Sequence, residues 1–307
     1  MNNLRILLDN GSLELPFPGS GDTWRRWSAL SGFGRTDPVL GRLAEGHCDA
    51  LAILDEAGRK PVPGALYGVW AARAGGTGAV LVDGRLSGTV RFCSAAHTVD
   101  RVLVAALSEG KPVLVELDPG QPGVTVVEDS WQAIGMAGSD SPDVVFDLPV
   151  TEDMFIGEPG FYLDRPGFWA GGAGVAAVWL GGAFGVLDAV TELWRERAAD
   201  EHQLAHLGAI YTALHAAEAL LRQSAKQIDA DPDGDHRLLA WTCRAAAERA
   251  VREVVERVPR ITGPGPLCRD RAFAQRLADL GVYVRQHHGE RDLAALGALA
   301  YPAGARG

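Results

Sequence analysis

The sequence predicts an α+β fold, with a short N-terminal helical segment, a central β-barrel-like domain and a C-terminal helical bundle. Three observations predict it. Apolar residues recur at helical spacing from Thr36 to Gly58, at a period of two from Leu66 to about Gly160, and at helical spacing again after Gly167. With 307 residues, 47% of them hydrophobic, the chain is long enough to bury a sizeable core. The expected boundaries are 1–65, 66–160 and 161–307.

Each element follows from local chemistry. "TDPVLGRLAEGHCDALAILDEAG", Thr36 to Gly58, opens with Thr, Asp and Pro, the residues of a helix N-terminus, and closes on Gly, so a helix is expected there. The runs "LYGVWAA", "GAVLVDGRL", "SGTVRFCSA", "DRVLVAAL", "KPVLVELD", "GVTVVED" and "DVVFDLPV" are short and separated by Gly, Pro, Asp and Ser, which reads as strands. Four Ala-rich amphipathic stretches follow, at Phe168 to Glu196, Asp200 to Lys226, Arg237 to Arg257 and Asp270 to His288. Short connections between them make a bundle.

Composition narrows the function. Lys and Arg number 29 against 39 Asp and Glu, a net charge of −10, which argues against a general grip on nucleic acid. Cys48, Cys93, Cys243 and Cys268 show no metal-ligand spacing and no disulfide framework, so a reducing cytoplasm is the expected setting. The N-terminus lacks the apolar run of a signal peptide, and "GVAAVWLGGAFGVLDAV" is broken by Gly and stopped by Asp188. A buried helix, with no membrane insertion, is expected there.

Several motifs turn out bland on inspection. "DADPDGD", Asp229 to Asp235, imitates a calcium loop, but its twelfth position is Ala240 where a bidentate Glu is required, so a solvated turn that caps the next helix is expected. His202 and His206 lack a third ligand, and His287 and His288 sit at a helix end. "AGGTGA" and "GGAG" lack the full dinucleotide fingerprint. The remaining oddity is Phe92, Cys93 and Ser94, where a strand end gathers an aromatic face, a thiol and a hydroxyl. Such a cluster serves core packing or forms a wall against a flat ligand.

Passages along most of the chain carry a resemblance. "LAEGHCDALAILDEAG", "LYGVW", "DGRLSGTVRFCSAAHTVDRVLVAAL", "WQAIGMAGSDSPDVVFDLPVTEDMFIG" and "TGPGPLCRD" resemble, in this order, segments of the acyl-CoA dehydrogenase superfamily, which includes the dibenzothiophene-type flavin monooxygenases. The resemblance implies a flavin-dependent oxidoreductase that desaturates an acyl-CoA or other acyl thioester, with FAD, or FMN, as cofactor and a homodimer or homotetramer as assembly. Tyr67, Val69, Trp70, Phe92, Cys93 and Ser94 would line the flavin, Ser94 as hydroxyl donor, and Arg195 and Arg197 would meet the cofactor's phosphates. Asp279 would be the base that removes the α-proton.

Departures from the family's pattern leave two other outcomes open. The first helices that close the acyl pocket are expected to be missing, "VWAARAGGTG" replaces the loop whose hydroxyls lie over the phosphates, and "GGAGVAAVW" offers no acid at the family's other base position. These outcomes are a flavin monooxygenase, which needs no such base, and a flavin-free partner protein.

Overall fold

All seven expected runs are strands: β1 Tyr67–Trp70, β2 Gly78–Val82, β3 Arg85–Val90, β4 Arg101–Ser108, β5 Lys111–Leu117, β6 Val124–Val127 and β7 Asp143–Pro149. The computed structural model describes residues 2–195 and 198–301, and Arg197 falls outside them. The strands form one seven-stranded sheet in the order β1-β4-β2-β3-β7-β6, with β5 on the other edge of β4. β4 runs parallel to β1 and β2, and the remaining pairs are antiparallel. "GAVLVDGRL", read above as one run, is broken in two, and its last residues join "SGTV" of the next run in β3. Asp83 (φ 48°) and Gly84 (φ 71°) both adopt the left-handed conformation of a two-residue hairpin turn, so β2 folds back on β3 there.

Two compact units share the chain. The sheet unit comprises residues 1–15, 43–133 and 137–168, and the helical unit residues 16–42, 134–136 and 169–307. The sheet unit contains α1 Asn2–Asp9, α4 Phe161–Asp164 and the greater part of α3 Pro38–Glu56. Its core packs Ala50, Ile53 and Leu54 of α3 on Tyr67, Leu103, Leu114 and Ile156. Each large apolar side chain so buried contributes about 1.5–3 kcal/mol. The N-terminus of α3 lies one residue past the expected cap. Thr36 is the last residue of the preceding helix, α2 Thr23–Thr36, its hydroxyl donating to the Gly32 carbonyl, whereas Asp37, extended ahead of Pro38, accepts the Val39 N–H at 2.7 Å.

The helical unit contains α2, α5 Gly167–Leu193 (from Trp169 on), α6 Glu201–Ala230, α7 Arg237–Thr262, α8 Pro264–Arg269, α9 Arg271–Tyr283 and α10 Glu290–Ala300. The interior of α5 is buried on nearly all sides, with Ala173, Ala176, Val178, Trp179, Ala183 and Val190 fully enclosed. Glycine makes its crossing with α2 possible: a methyl group at Gly181 would overlap the Ser31 carbonyl, and one at Gly34 would overlap that of Val178. The acidic stretch that ends α6 and leads into α7 caps two helices. Asp229 accepts the Thr23 N–H and hydroxyl at the start of α2, and Asp235 accepts the Arg237 N–H at the start of α7. Among the described residues α5 and α6 are long and apolar enough to cross a membrane, and most of α5 is buried within the fold.

Candidate functional site

The end of β3 meets a second loop, and together they build a small polar floor in the sheet unit. Beyond Val90 the chain leaves the ladder, and Phe92 (φ 60°) and Ala95 (φ 55°) both adopt left-handed backbone. For residues with a Cβ this costs about 1–3 kcal/mol, and it persists where the surroundings over-determine it. The surroundings are residues 139–142: the Cys93 N–H donates to the Pro142 carbonyl, that of Ala95 to Ser139 and that of Ala96 to Asp140. Asp140 (φ 46°) also accepts the His97 N–H at 2.9 Å and faces His97 Nδ1 at 2.9 Å. His97 Nε2 reaches Glu128 at 3.3 Å. The Asp140 and Glu128 carboxylates together raise the His97 pKa above its ordinary value.

Three buried hydroxyls converge behind this clasp. Ser141 Oγ donates to Ser94 Oγ at 3.3 Å and lies 2.8 Å from Ser139 Oγ. Trp70 closes the floor, its ring 6.3 Å from that of Phe146 and its Nε1 donating to the Ser94 carbonyl at 3.1 Å. Cys93 is sealed beneath, its thiol donating to the Val90 carbonyl, and burial pushes its pKa well above the ordinary thiol range. A thiol so held is inert. Phe92 points the other way: it is 51% exposed and stacks edge-on against Trp131 at 6.3 Å. The loops thus combine fixed hydroxyls with an exposed aromatic ledge.

The helical unit holds a separate carboxylate. Asp279 on α9 is buried, and its Oδ1 accepts the Met136 N–H at 2.5 Å and Gln275 Nε2 at 2.8 Å. Burial raises its pKa, and the two donors pull the other way. Gln275 also donates to the Ile134 carbonyl, and a methyl at Gly135 would strike the Ala278 carbonyl, so residues 134–136 lie close along α9.

Solved structures with the same arrangement of sheet and helices exist. Butyryl-CoA dehydrogenase from Megasphaera elsdenii superposes with a TM-score of 0.77 over 89% of this chain and 80% of its own, at 19% identity. The chain has the acyl-CoA dehydrogenase fold. TdsC from Paenibacillus sp. A11-2, solved with FMN and indole, shares this fold with a TM-score of 0.77, 20% identity, and coverage of 89% of this chain and 82% of its own. Among curated proteins, "Probable FMNH2-dependent monooxygenase SfnC" of Pseudomonas putida is 26% identical over 208 residues, 58% of this chain. The match spans about half of that relative, 52% of its length. No family model matches the chain.

Within the acyl-CoA dehydrogenase fold of this chain, the residues singled out from sequence are distributed as follows. Trp70, Cys93 and Ser94 come together, and Phe92 lies on the exposed side of the same turn. Tyr67 and Val69 are on the opposite face of β1, because successive strand residues alternate. Tyr67 is packed in the α3 core, where its hydroxyl donates to Glu116 Oε1 at 2.8 Å, and burial pushes its pKa up to about 12. Arg195 is exposed and pairs with Glu192 at 2.8 Å. Among the described residues no cluster of metal-ligating side chains occurs. Sequence reasoning missed Trp131, Ser139, Ser141 and the clasp of His97 with Asp140. The Ser-x-Ser spacing in "GSDSPD" gives no periodic signal, because Ser139 ends a single 3-10 turn and Asp140 is left-handed, so only the fold of the loop brings the two hydroxyls together.

Proposed function

We propose that the chain is a flavin-dependent oxidoreductase that uses reduced FMN to insert one oxygen atom of dioxygen into a small organic substrate in the reducing cytoplasm. The observation that carries this reading is the strained junction at Phe92 and Ala95, which sets buried hydroxyls beside an aromatic ledge. Strain of this kind concentrates at functional sites. The residues present suit a flavin, which needs a flat apolar surface and a few fixed donors: Phe92 with Trp131 would supply the first and Ser94 the second. When bound, reduced flavin supplies the two electrons that dioxygen activation requires. The chain's part is to hold the ring, keep the Ser94 hydroxyl oriented through Ser141 and Ser139, and exclude bulk water with Trp70 and Phe146. The FMNH2-dependent relative and the FMN-bound TdsC support this reading.

Desaturation of an acyl thioester is the second reading, and the raised pKa of Asp279 favours it, since a general base works best when its pKa lies nearer the operating pH. FAD in place of FMN would accompany it. The chain is proposed to work as a homodimer or homotetramer.

The deciding experiment uses the full-length protein. Ser94→Ala is expected to fold normally and to weaken FMN binding, read by quenching of flavin fluorescence, and unchanged binding would remove Ser94 from the site. Anaerobic bleaching of bound flavin by butyryl-CoA without added reductant would favour desaturation. Asp279→Asn then separates base from tether: the amide oxygen still accepts from Met136 and Gln275, so a tether survives the change and a base does not.

A further inference from the structure

We propose that His97 is a proton-operated brace that, as the imidazolium, ties the turn after β3 to both Asp140 and Glu128, and on losing its proton lets go of Glu128. The brace stands apart from the flavin reading above, on which only the last arm of its test rests.

The brace spans one end of the sheet. In the order β3-β7-β6, Val90 at the end of β3 lies opposite Val144 of β7, and Val127 at the end of β6 lies opposite Asp143, so three strand ends stand side by side. His97 follows β3, Asp140 leads into β7 and Glu128 directly follows β6. One side chain thus reaches across all three. His97 Nδ1 lies 2.9 and 3.1 Å from the two Asp140 carboxylate oxygens, and Nε2 lies 3.3 Å from Glu128 Oε1. An ionised carboxylate accepts and does not donate, so both ring nitrogens carry a proton in this arrangement. The hydrogen bond to Asp140, seconded by that to Glu128, holds the pKa of the ring above its ordinary 6.5, while burial opposes. These two carboxylates are the charged groups that act on the ring.

A neutral ring has one proton for two carboxylates. Asp140 keeps it, because both of its oxygens are within reach of Nδ1 and its place is fixed by main-chain donors: its carbonyl accepts the Ala96 N–H and its Oδ2 the His97 N–H. Nε2 then becomes an acceptor facing an acceptor. The Glu128 side chain is 77% exposed, so water replaces the lost partner and the arm is free to leave. The tie is therefore full below the ordinary imidazole value and is lost as pH rises through the raised one. Glu128 opens the loop that carries Trp131, and His97 closes the turn that carries Phe92. The contacts that join loop and turn include the His97–Glu128 pair and the edge-on packing of Phe92 on Trp131. Loss of the first leaves the second without its charged support. Ser130 holds the loop to β7 in both states, its hydroxyl accepting the Asp143 N–H at 2.8 Å, so the release is local and the sheet stays intact. One proton thus sets how firmly the aromatic ledge is held.

The test is a nuclear magnetic resonance titration of the full chain from about pH 5 to about pH 9, the range that brackets an imidazole. It follows the His97 ring signals, assigned with His97→Gln, and the Trp131 indole N–H, assigned with Trp131→Phe. His97 is expected to titrate above the ordinary imidazole value, and the Trp131 signal to shift with the same midpoint. Glu128→Gln, a change at an exposed position that leaves folding intact, should move the His97 midpoint down and abolish the Trp131 titration. His97→Arg, a cation throughout, should hold the Trp131 signal constant. A Trp131 signal that ignores the His97 midpoint, or a His97 midpoint that Glu128→Gln leaves unchanged, overturns the brace. Under the flavin reading, FMN affinity of the wild type should fall across the same midpoint by up to about five-fold, the reach of an exposed ion pair. His97→Arg, which controls for ionisation of the FMN phosphate, should show no such fall. If FMN does not bind while the two protein signals titrate together, the flavin reading fails and the brace stands.

Discussion

His47 shows how one buried side chain fixes a pH dependence. It is 1% exposed, and its Nδ1 accepts the Tyr67 N–H at 3.0 Å, so the ring is neutral with its proton on Nε2. Burial, assisted by the Arg5 charge, lowers its pKa from 6.5 to about 4. Because the unfolded chain takes up this proton first, the stability that His47 contributes is full above pH 6.5. It is lost as pH falls from there toward 4, to the extent of about 3 kcal/mol. Urea midpoints measured at neutral pH and near pH 4.5 should show this loss. His47→Asn, which keeps an acceptor and does not titrate, should flatten the slope, and an unchanged slope would assign the acid sensitivity elsewhere. Cys93 belongs at this scale too. Its thiol was a legible candidate in the sequence, but whether it faces a ligand or the core depends on the turn at Phe92, which burial settled in favour of the core.

At the scale of elements, the turn after β3 and the segment 139–142 hold each other in shape. Ala95 pays for its left-handed backbone with strain that the hydrogen bond to Ser139 and the His97–Asp140 clasp offset. Replacing Ala95 by Gly removes the Cβ penalty at the cost of some unfolded-state entropy, so a net stabilisation on the order of 1 kcal/mol is expected. Under the flavin reading the same change should loosen Ser94 and weaken FMN binding, giving opposite signs in a denaturation curve and a binding titration. A destabilised Ala95→Gly would show that the strain is not stored there. The strands themselves were legible from alternation alone. The pairing of two sequence-distant loops was not, because it rests on main-chain hydrogen bonds that any residue can make.

For the whole molecule the informative feature is α6. Ile210, Leu214, Ala217 and Leu221 face inward, whereas Leu204 is 52% and Tyr211 57% exposed on the other side. Ala205, Gly208, Thr212 and Ala216 lie exposed with them, so an uncharged stripe runs along the helix. Tyr211 also stacks on His215 at 4.1 Å, and His215 on Phe184 at 5.4 Å. The proposed homodimer or homotetramer would cover this stripe, and Tyr211→Glu should then shift the sedimenting species to monomer at micromolar concentration. A wild type that already sediments as a monomer would refute the assembly.

The sequence by itself determined the order of helix, sheet and helices, because hydrophobic period, caps and turn residues are local and additive signals. It also determined that α5 is a core helix, since an apolar segment interrupted by Gly is read from composition and spacing. It carried the resemblance to the acyl-CoA dehydrogenases, whose fold the chain adopts. Tertiary structure alone decided which candidates meet. Strand alternation sends Tyr67 into the α3 core and Trp70 to the Ser94 floor, and only the fold of the loops brings Ser139 and Ser141 to Ser94 from a distant segment. Asp279 likewise reads as an ordinary helical acid until the Met136 N–H is seen to point at it. Local propensity fixes what a segment becomes, but which side chains share a site depends on the pairing of segments far apart in the chain, and no single window of residues encodes that.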